Sequence, residues 1–155
     1  RIDVLATAAS AGLTASGLAD LELAYAPQYG SAKDPVNMLG YVDRNQRDGL
    51  SRTVQWHEVA EELAGGALLV DVRTPQEHAA GSVTGAITIP LDDLRGRLDE
   101  LDGRRVVVHC QVGQRGHTAA MLLTRLGYDA VNLDGGYRTW LAGHNARQPQ
   151  LQGAL

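Results

Sequence analysis

The chain predicts an α/β fold: a central, mostly parallel five-stranded sheet with helices on both faces. Two observations carry that prediction. From residue 53 onward, short apolar runs alternate with helically spaced segments, and strands alternating with helices build parallel sheets covered on both sides. Glycine and proline stops also separate the segments, at Gly65-Gly66, Pro90 and Gly127.

The elements follow in order. Residues 1–46 are Ala-rich. Ile2, Val4, Leu5 and Ala8 mark the end of one helix, and Thr14 or Ser16 caps a short turn through Leu18 and Leu21. The stretch 24–31 is irregular. Asp34-Pro35 opens a further helix, with Asp as cap and Pro at the first helical position. This region has no sheet pattern and too few apolar residues for a core of its own. Residues 47–52 read as a linker. A short strand at 53–54 precedes a helix at 57–64. Residues 67–71 form a buried strand, and Thr74-Pro-Gln-Glu77 is a capping box that starts a short helix. Residues 86–89 are a strand ended by Pro90, and Asp92 or Asp93 caps a short helix through Leu98 and Leu101. A strand at 105–109, a helix at 117–126, a strand at 130–133 and a helix at 136–142 complete the pattern. Residues 144–155 are expected to be a disordered tail.

Composition narrows the class. Hydrophobic content of 44% against 21% charged residues is that of a soluble globular protein. No stretch approaches the ~20 apolar residues of a membrane span, and the start Arg1-Ile-Asp lacks a signal-peptide pattern. A net charge of −4 gives no reason to invoke nucleic acid. The single cysteine excludes an internal disulfide framework and fits a reducing compartment, so the chain is expected to be cytoplasmic. With no Phe, the core must be mainly Val, Leu, Ile and Ala. Because the chain starts with Arg, it reads as a piece of a longer polypeptide.

The chemistry centres on Cys110. It follows the β-branched run 105–109 and opens a Gly-rich loop, Cys110-Gln-Val-Gly-Gln-Arg-Gly116, that leads into a helix. Such a loop turns successive backbone N–H groups inward, and the helix N-terminus adds positive potential. Both favour a thiolate at Cys110. Arg115 closes the loop after four intervening residues. A phosphate-cleaving cysteine enzyme needs one residue more to encircle a phosphoryl group, so this tighter cradle suits one terminal sulfur carried on the cysteine. Asp71 stands, like Cys110, at the carboxyl end of its strand, where sites of such folds lie. His57, His78 and His144 form no spaced set with Cys110, so no metal is expected. Trp56 and Trp140 read as packing residues. His109 reads as a core or rim side chain, and His117 as a first-turn helix residue.

Residues 53–143 resemble a rhodanese domain, the sulfurtransferase family. The matching pieces are Leu69-Val-Asp-Val-Arg73, Thr74-Pro-Gln-Glu-His78, the segment 81–90, the loop at Cys110, and Leu133-Asp-Gly-Gly-Tyr-Arg-Thr-Trp140. The resemblance implies Cys110 as the persulfide-carrying nucleophile and Arg115 as the loop-closing cation. It implies a cradle of N–H groups from Gln111, Val112, Gly113, Gln114 and Gly116. Asp71 and Arg73 would be supporting charges, or simply a structural ion pair. Ser82 departs from the histidine usual at its position, which is read as structural. Gln111, Val112 and Gln114 are uncharged where efficient users of thiosulfate tend to carry basic residues. Polysulfide or a small-thiol persulfide is therefore expected to be the better donor, and thiosulfate the poorer.

Residues 1–46 resemble the C-terminal end of the dimerisation domain of flavin-dependent coenzyme A-disulfide reductases, some of which carry a C-terminal rhodanese domain. The pieces are Arg1-Ile-Asp-Val-Leu-Ala-Thr-Ala, Asp20-Leu-Glu-Leu-Ala-Tyr-Ala-Pro-Gln-Tyr29 and Ser31-Ala-Lys-Asp-Pro-Val-Asn37. The resemblance implies a homodimeric parent using FAD, NAD(P)H and CoA, with Tyr25 or Tyr29 reaching its reductase site. This fragment is expected to need no cofactor. Its partners would be a small sulfane-sulfur donor, a thiol acceptor and the upstream reductase domain, with no nucleic acid and no membrane. The alternative is a non-catalytic binding or regulatory module of the same fold, and the presence of Cys110 counts against it.

Overall fold

A computed structural model describes residues 1–30 and 32–147 of the chain. It divides into two units, residues 1–50 and 51–155. The first is helical: α1 (Ile2–Ser10), a 3₁₀ turn (Ser16–Asp20) and α2 (Pro35–Arg47). The Asp34 carboxylate accepts the Val36 N–H at 2.9 Å, the cap its sequence announces. Asn37 Nδ2 donates to the carbonyls of Leu18 and Leu21, which ties α2 to the 3₁₀ turn. Contrary to expectation, this region does close a small core of its own. Ala8, Leu18 and Val36 are buried in it, flanked by Val4, Leu5, Leu21 and Leu23. Helix α2 also runs through Arg47, the first residue of the expected linker.

The second unit holds β1 (Thr53–Val54), α3 (Val59–Ala64), β2 (Leu68–Asp71), α4 (Pro75–Ala79), β3 (Ile87–Thr88), β4 (Val106–His109), α5 (Gln114–Arg125), β5 (Ala130–Leu133) and α6 (Gly136–Arg147). All strand pairs are parallel, in the order β1-β5-β4-β2-β3. Every residue of β2, β4 and β5 is buried, because helices cover both faces. On one face Val70, Val106 and Val108 pack with Leu94, Leu101 and with Ala119, Ala120 and Leu123 of α5. On the other, Leu69, Val107, Val131 and Leu133 pack with Val59, Val83, Tyr137 and Trp140. The fold is the five-stranded α/β architecture the sequence predicts; its central strand β4 ends at His109, beside Cys110, and the neighbouring β2 ends at Asp71.

Most element ends fall within two residues of expectation, and three elements differ by more, each for a physical reason. The expected helix after Asp92 or Asp93 is two 3₁₀ turns, Leu94–Gly96 and Leu98–Leu101, without a side-chain cap. A tight turn places residues three apart on one side, so Leu98 and Leu101 face the core together, beside the fully buried Leu94, and Gly96 disfavours a continuous helix. Helix α5 starts at Gln114, not 117, so Arg115 and Gly116 belong to its first turn. Helix α6 continues through Arg147, across residues 144–147 of the expected tail. Gly143 resembles a stop signal, yet it is an interior contact: a Cβ there would collide with the Trp56 ring. Residues 148–155 of that tail lie outside the described residues.

Candidate active site

Cys110 is 1% exposed at the mouth of the β4–α5 connection. Its Sγ accepts the N–H of Gly113 at 3.2 Å. Gly113 is the N-cap of α5 with φ +102, a left-handed turn that glycine adopts without strain. The first intrahelical bond runs from His117 N to Gly113 O at 2.8 Å. The N–H groups of Gln114, Arg115 and Gly116 therefore precede any helical acceptor and remain free to serve an anion. Val112 sits at the rim, 56% exposed.

The carbonyls of the loop are turned away from the sulfur by α6. Tyr137 N donates to Cys110 O at 2.8 Å and Arg138 N to Gln111 O at 3.1 Å. This approach requires Gly136, with φ +61, because a Cβ there would collide with the Cys110 carbonyl and crowd Gly113 N. Gly116 is required in the same way by Asn132, which lies beneath the loop. One helix end thus holds the acceptors outward while the start of another presents donors inward.

Asp71 and Arg73 are 0% and 2% exposed. The guanidinium grips the carboxylate through Nε (2.9 and 3.1 Å) and Nη2 (2.7 Å). Arg73 also donates to Gly81 O at 2.7 Å and Gln111 Oε1 at 2.9 Å, and it stacks over the Tyr137 ring at 4.5 Å. Asp71 receives His78 Nδ1 at 2.9 Å and Ser82 Oγ at 3.3 Å. Burial pushes the Asp71 carboxyl up, but the Arg73 hydrogen bonds, the charge of His109 and the His78 bond outweigh it, leaving a pKa of about 2. The pair thus bonds the loop through Gln111, and Ser82 serves this carboxylate directly.

Arg115 faces a different carboxylate. Its Nη1 and Nη2 donate to Glu77 at 2.8 and 2.6 Å, a bidentate pair about one-third exposed on each side. Glu77 also completes the α4 capping box by accepting Thr74 N at 2.9 Å. The Arg115 bonds, then the Thr74 N–H, bring the Glu77 pKa down to about 2. The Arg115 pKa is raised, by Glu77 first and also by the charge of Cys110.

Sequence reasoning singled out Cys110, Asp71, Arg73 and the loop, and the fold brings them together. It did not foresee the Glu77–Arg115 bond or the Gly136 approach. The Gly-Gly before Tyr137 was the available signal for the second. His109, read as a core or rim side chain, is fully buried; its Nε2 has no hydrogen-bond partner among the described residues, and burial lowers its pKa. His117, in the first turn of α5 as read from the sequence, lies with its Nδ1 2.9 Å from Ser51 Oγ. Among the described residues no group of three or more His, Cys, Asp or Glu is arranged to hold a metal ion, and no helix is long and apolar enough to cross a membrane.

Comparison with known proteins matches residues 55–143 to the rhodanese-like domain. The human thiosulfate:glutathione sulfurtransferase is 38% identical over 106 residues, which cover 57% of this chain and 92% of that protein. Among solved structures, the reduced CoADR-RHD of Bacillus anthracis superposes with a TM-score of 0.88 at 48% identity, over 94% of this chain. An NAD-dependent persulfide reductase from A. fulgidus gives 0.77 at 39% identity, over 90% of this chain. The matched part is 26% and 25% of those two structures, so the chain spans about a quarter of their length.

Proposed function

The chain belongs to the rhodanese-like domain family, and we propose on that premise that it is a sulfurtransferase whose Cys110 carries sulfane sulfur as a persulfide. The single observation that supports this most is the cysteine sulfur accepting a loop N–H at the foot of a cradle from which the nearest carbonyls are withdrawn. In the first half-reaction the Cys110 thiolate attacks the sulfane sulfur of the donor. The donor S–S bond breaks, its electron pair leaves on the departing thiolate or sulfite, and Cys110 holds an outer sulfur with a negative charge. The N–H groups of Gln111–Gly116 face that charge as an oxyanion hole faces an oxygen. In the second, an acceptor thiolate takes the outer sulfur and the Cys110 thiolate leaves. No external oxidant or reductant enters either step. A sulfur 1% exposed admits the slim end of a sulfane chain more readily than a tetrahedral phosphoryl group.

In the full-length protein the sulfur would serve an upstream CoA-disulfide, persulfide or polysulfide reductase. The support is the likeness of nearly the whole chain, residues 1–50 included, to parts of two much longer proteins, one of them an NAD-dependent persulfide reductase. FAD, NAD(P)H and CoA would belong to that upstream part. This chain offers no Gly-x-Gly-x-x-Gly loop and no second cysteine, so none of its own steps runs through them. A homodimer, a cytoplasmic setting, and a role for Tyr25 or Tyr29 (57% and 89% exposed) at the reductase site complete the reading. Polysulfide or a small-thiol persulfide remains the proposed donor; the human relative is named for thiosulfate, so the comparison is one to measure.

Cold cyanolysis tests the core of this reading. After loading with polysulfide and removal of excess donor, the chain should release thiocyanate in proportion to its Cys110, and Cys110→Ser should release none. Equal release from both would overturn the assignment. No release from the unaltered chain would favour a binding module.

A further inference from the structure

Two ion pairs, Glu77–Arg115 and Asp71–Arg73, flank the loop. Arg115 is the only ionic side chain between Gln111 and Gly116. Its guanidinium is held by both carboxylate oxygens of Glu77, at 2.8 and 2.6 Å. Arg73, whose guanidinium bonds the Gln111 side chain, is sealed against Asp71 and is 2% exposed. Two neutral pairs therefore flank a cradle whose attraction for anions comes from peptide dipoles. Dipoles suffice for the single charge of a persulfide sulfur. A dianion brought out of water here finds both of these guanidiniums already compensated, and it approaches a carboxylate as well.

We propose that Glu77 is a specificity-determining residue that sets the charge of the accepted donor by neutralising Arg115, so that it selects against dianionic sulfane donors. This rests on the sulfurtransferase reading of Cys110 and deepens it. Glu77 is suited to the task because its capping bond to Thr74 N, at 2.9 Å, fixes the carboxylate on α4 independently of Arg115. The same bond offers a clean substitution. Glutamine also closes a capping box, so Glu77→Gln removes the charge and keeps the cap.

Two donors that differ by one charge and share the same cleaved bond give the readout. Thiosulfate is a dianion and methanethiosulfonate a monoanion. Both lose their outer sulfur to the thiolate, and the sulfite or sulfinate leaves with the electron pair. The quantity is the ratio of kcat/KM for thiosulfate to that for methanethiosulfonate, measured on the full chain with a common thiol acceptor. The expected result in Glu77→Gln is a rise of about tenfold, the scale of one uncompensated charge at close range in a partly solvated site. The double variant Glu77→Gln/Arg115→Gln should lose that gain. Thr74→Ala, which weakens the cap but keeps the carboxylate, should leave the ratio within about twofold of the unaltered chain, a span well under one charge interaction. A ratio in Glu77→Gln that moves less than about twofold overturns the inference, as does a rise that persists without Arg115 or that Thr74→Ala reproduces. If neither donor leaves a persulfide on Cys110 of the unaltered chain, the sulfurtransferase reading itself is what fails.

Discussion

Arg73 is the largest side chain sealed inside the second unit, and Asp71 is its counter-charge. Removing one member of a buried pair strands the other, which typically costs about 3–5 kcal/mol. Asp71→Asn should therefore destabilise the chain by that order, read from urea unfolding, and it should disturb sulfur loading through the Arg73–Gln111 bond. Acidity acts on the same cluster. The Asp71 carboxyl titrates at about 2 against an ordinary 3.8, so its contribution of roughly 2 kcal/mol is complete above about pH 5 and is lost as the pH falls through 2. His109, whose pKa is depressed from 6.5 by burial, works in the same direction. Below 6.5 the unfolded chain takes up its proton first, so stability declines with falling pH from that point. His109→Gln should flatten the unfolding free energy just below about pH 6.5. Position and residue type were readable in advance: Asp71 and Cys110 sit at strand ends, and Thr74 and Glu77 spell a cap. The partner of Arg115 was not, because Glu77 lies 38 residues away and only the packing of α4 beside α5 brings them together.

At the level of elements, the loop owes its shape to the start of α6 as much as to its own sequence. Gly136→Ala forces a Cβ into the Cys110 carbonyl at a positive φ. The expected outcome is a fall in sulfur transfer of about a hundredfold, the scale on which small displacements of reacting groups cost rate, while global unfolding shifts far less. Steady-state transfer and thermal melting measured together check it. Strand and helix order could be read from the chain because local signals agreed with the tertiary arrangement: β-branched runs, the capping box, and Gly66 and Gly127 as helix stops. The last helix outran its expected end at Ala142 through Gly143, for an instructive reason. A glycine can end a helix or let a ring approach its backbone, and only the position of Trp56 distinguishes the two. Helix α5 began early because Gly113, inside a loop meant for an anion, is also its N-cap.

Across the whole molecule, the two units carry unequal cores. Both apolar layers around the sheet are drawn from residues of the second unit. The first buries only Ala8, Leu18 and Val36 among its apolar residues with an additional Ala19, and leaves Met38, Leu39, Tyr41 and Val42 of α2 at least 39% exposed. A chain cut to residues 51–147 should consequently fold, load sulfur and melt as the second unit does in the full chain, and calorimetry should show residues 1–50 melting first. A truncated chain that is unfolded would refute that division. The central claim remains the sulfur on Cys110, and intact-mass spectrometry addresses it most directly. After incubation with polysulfide and desalting, the unaltered chain should gain about 32 Da, the mass of one sulfur, reversible by a thiol or cyanide, and Cys110→Ser should gain nothing. An unchanged mass, or the same gain in Cys110→Ser, would contradict it.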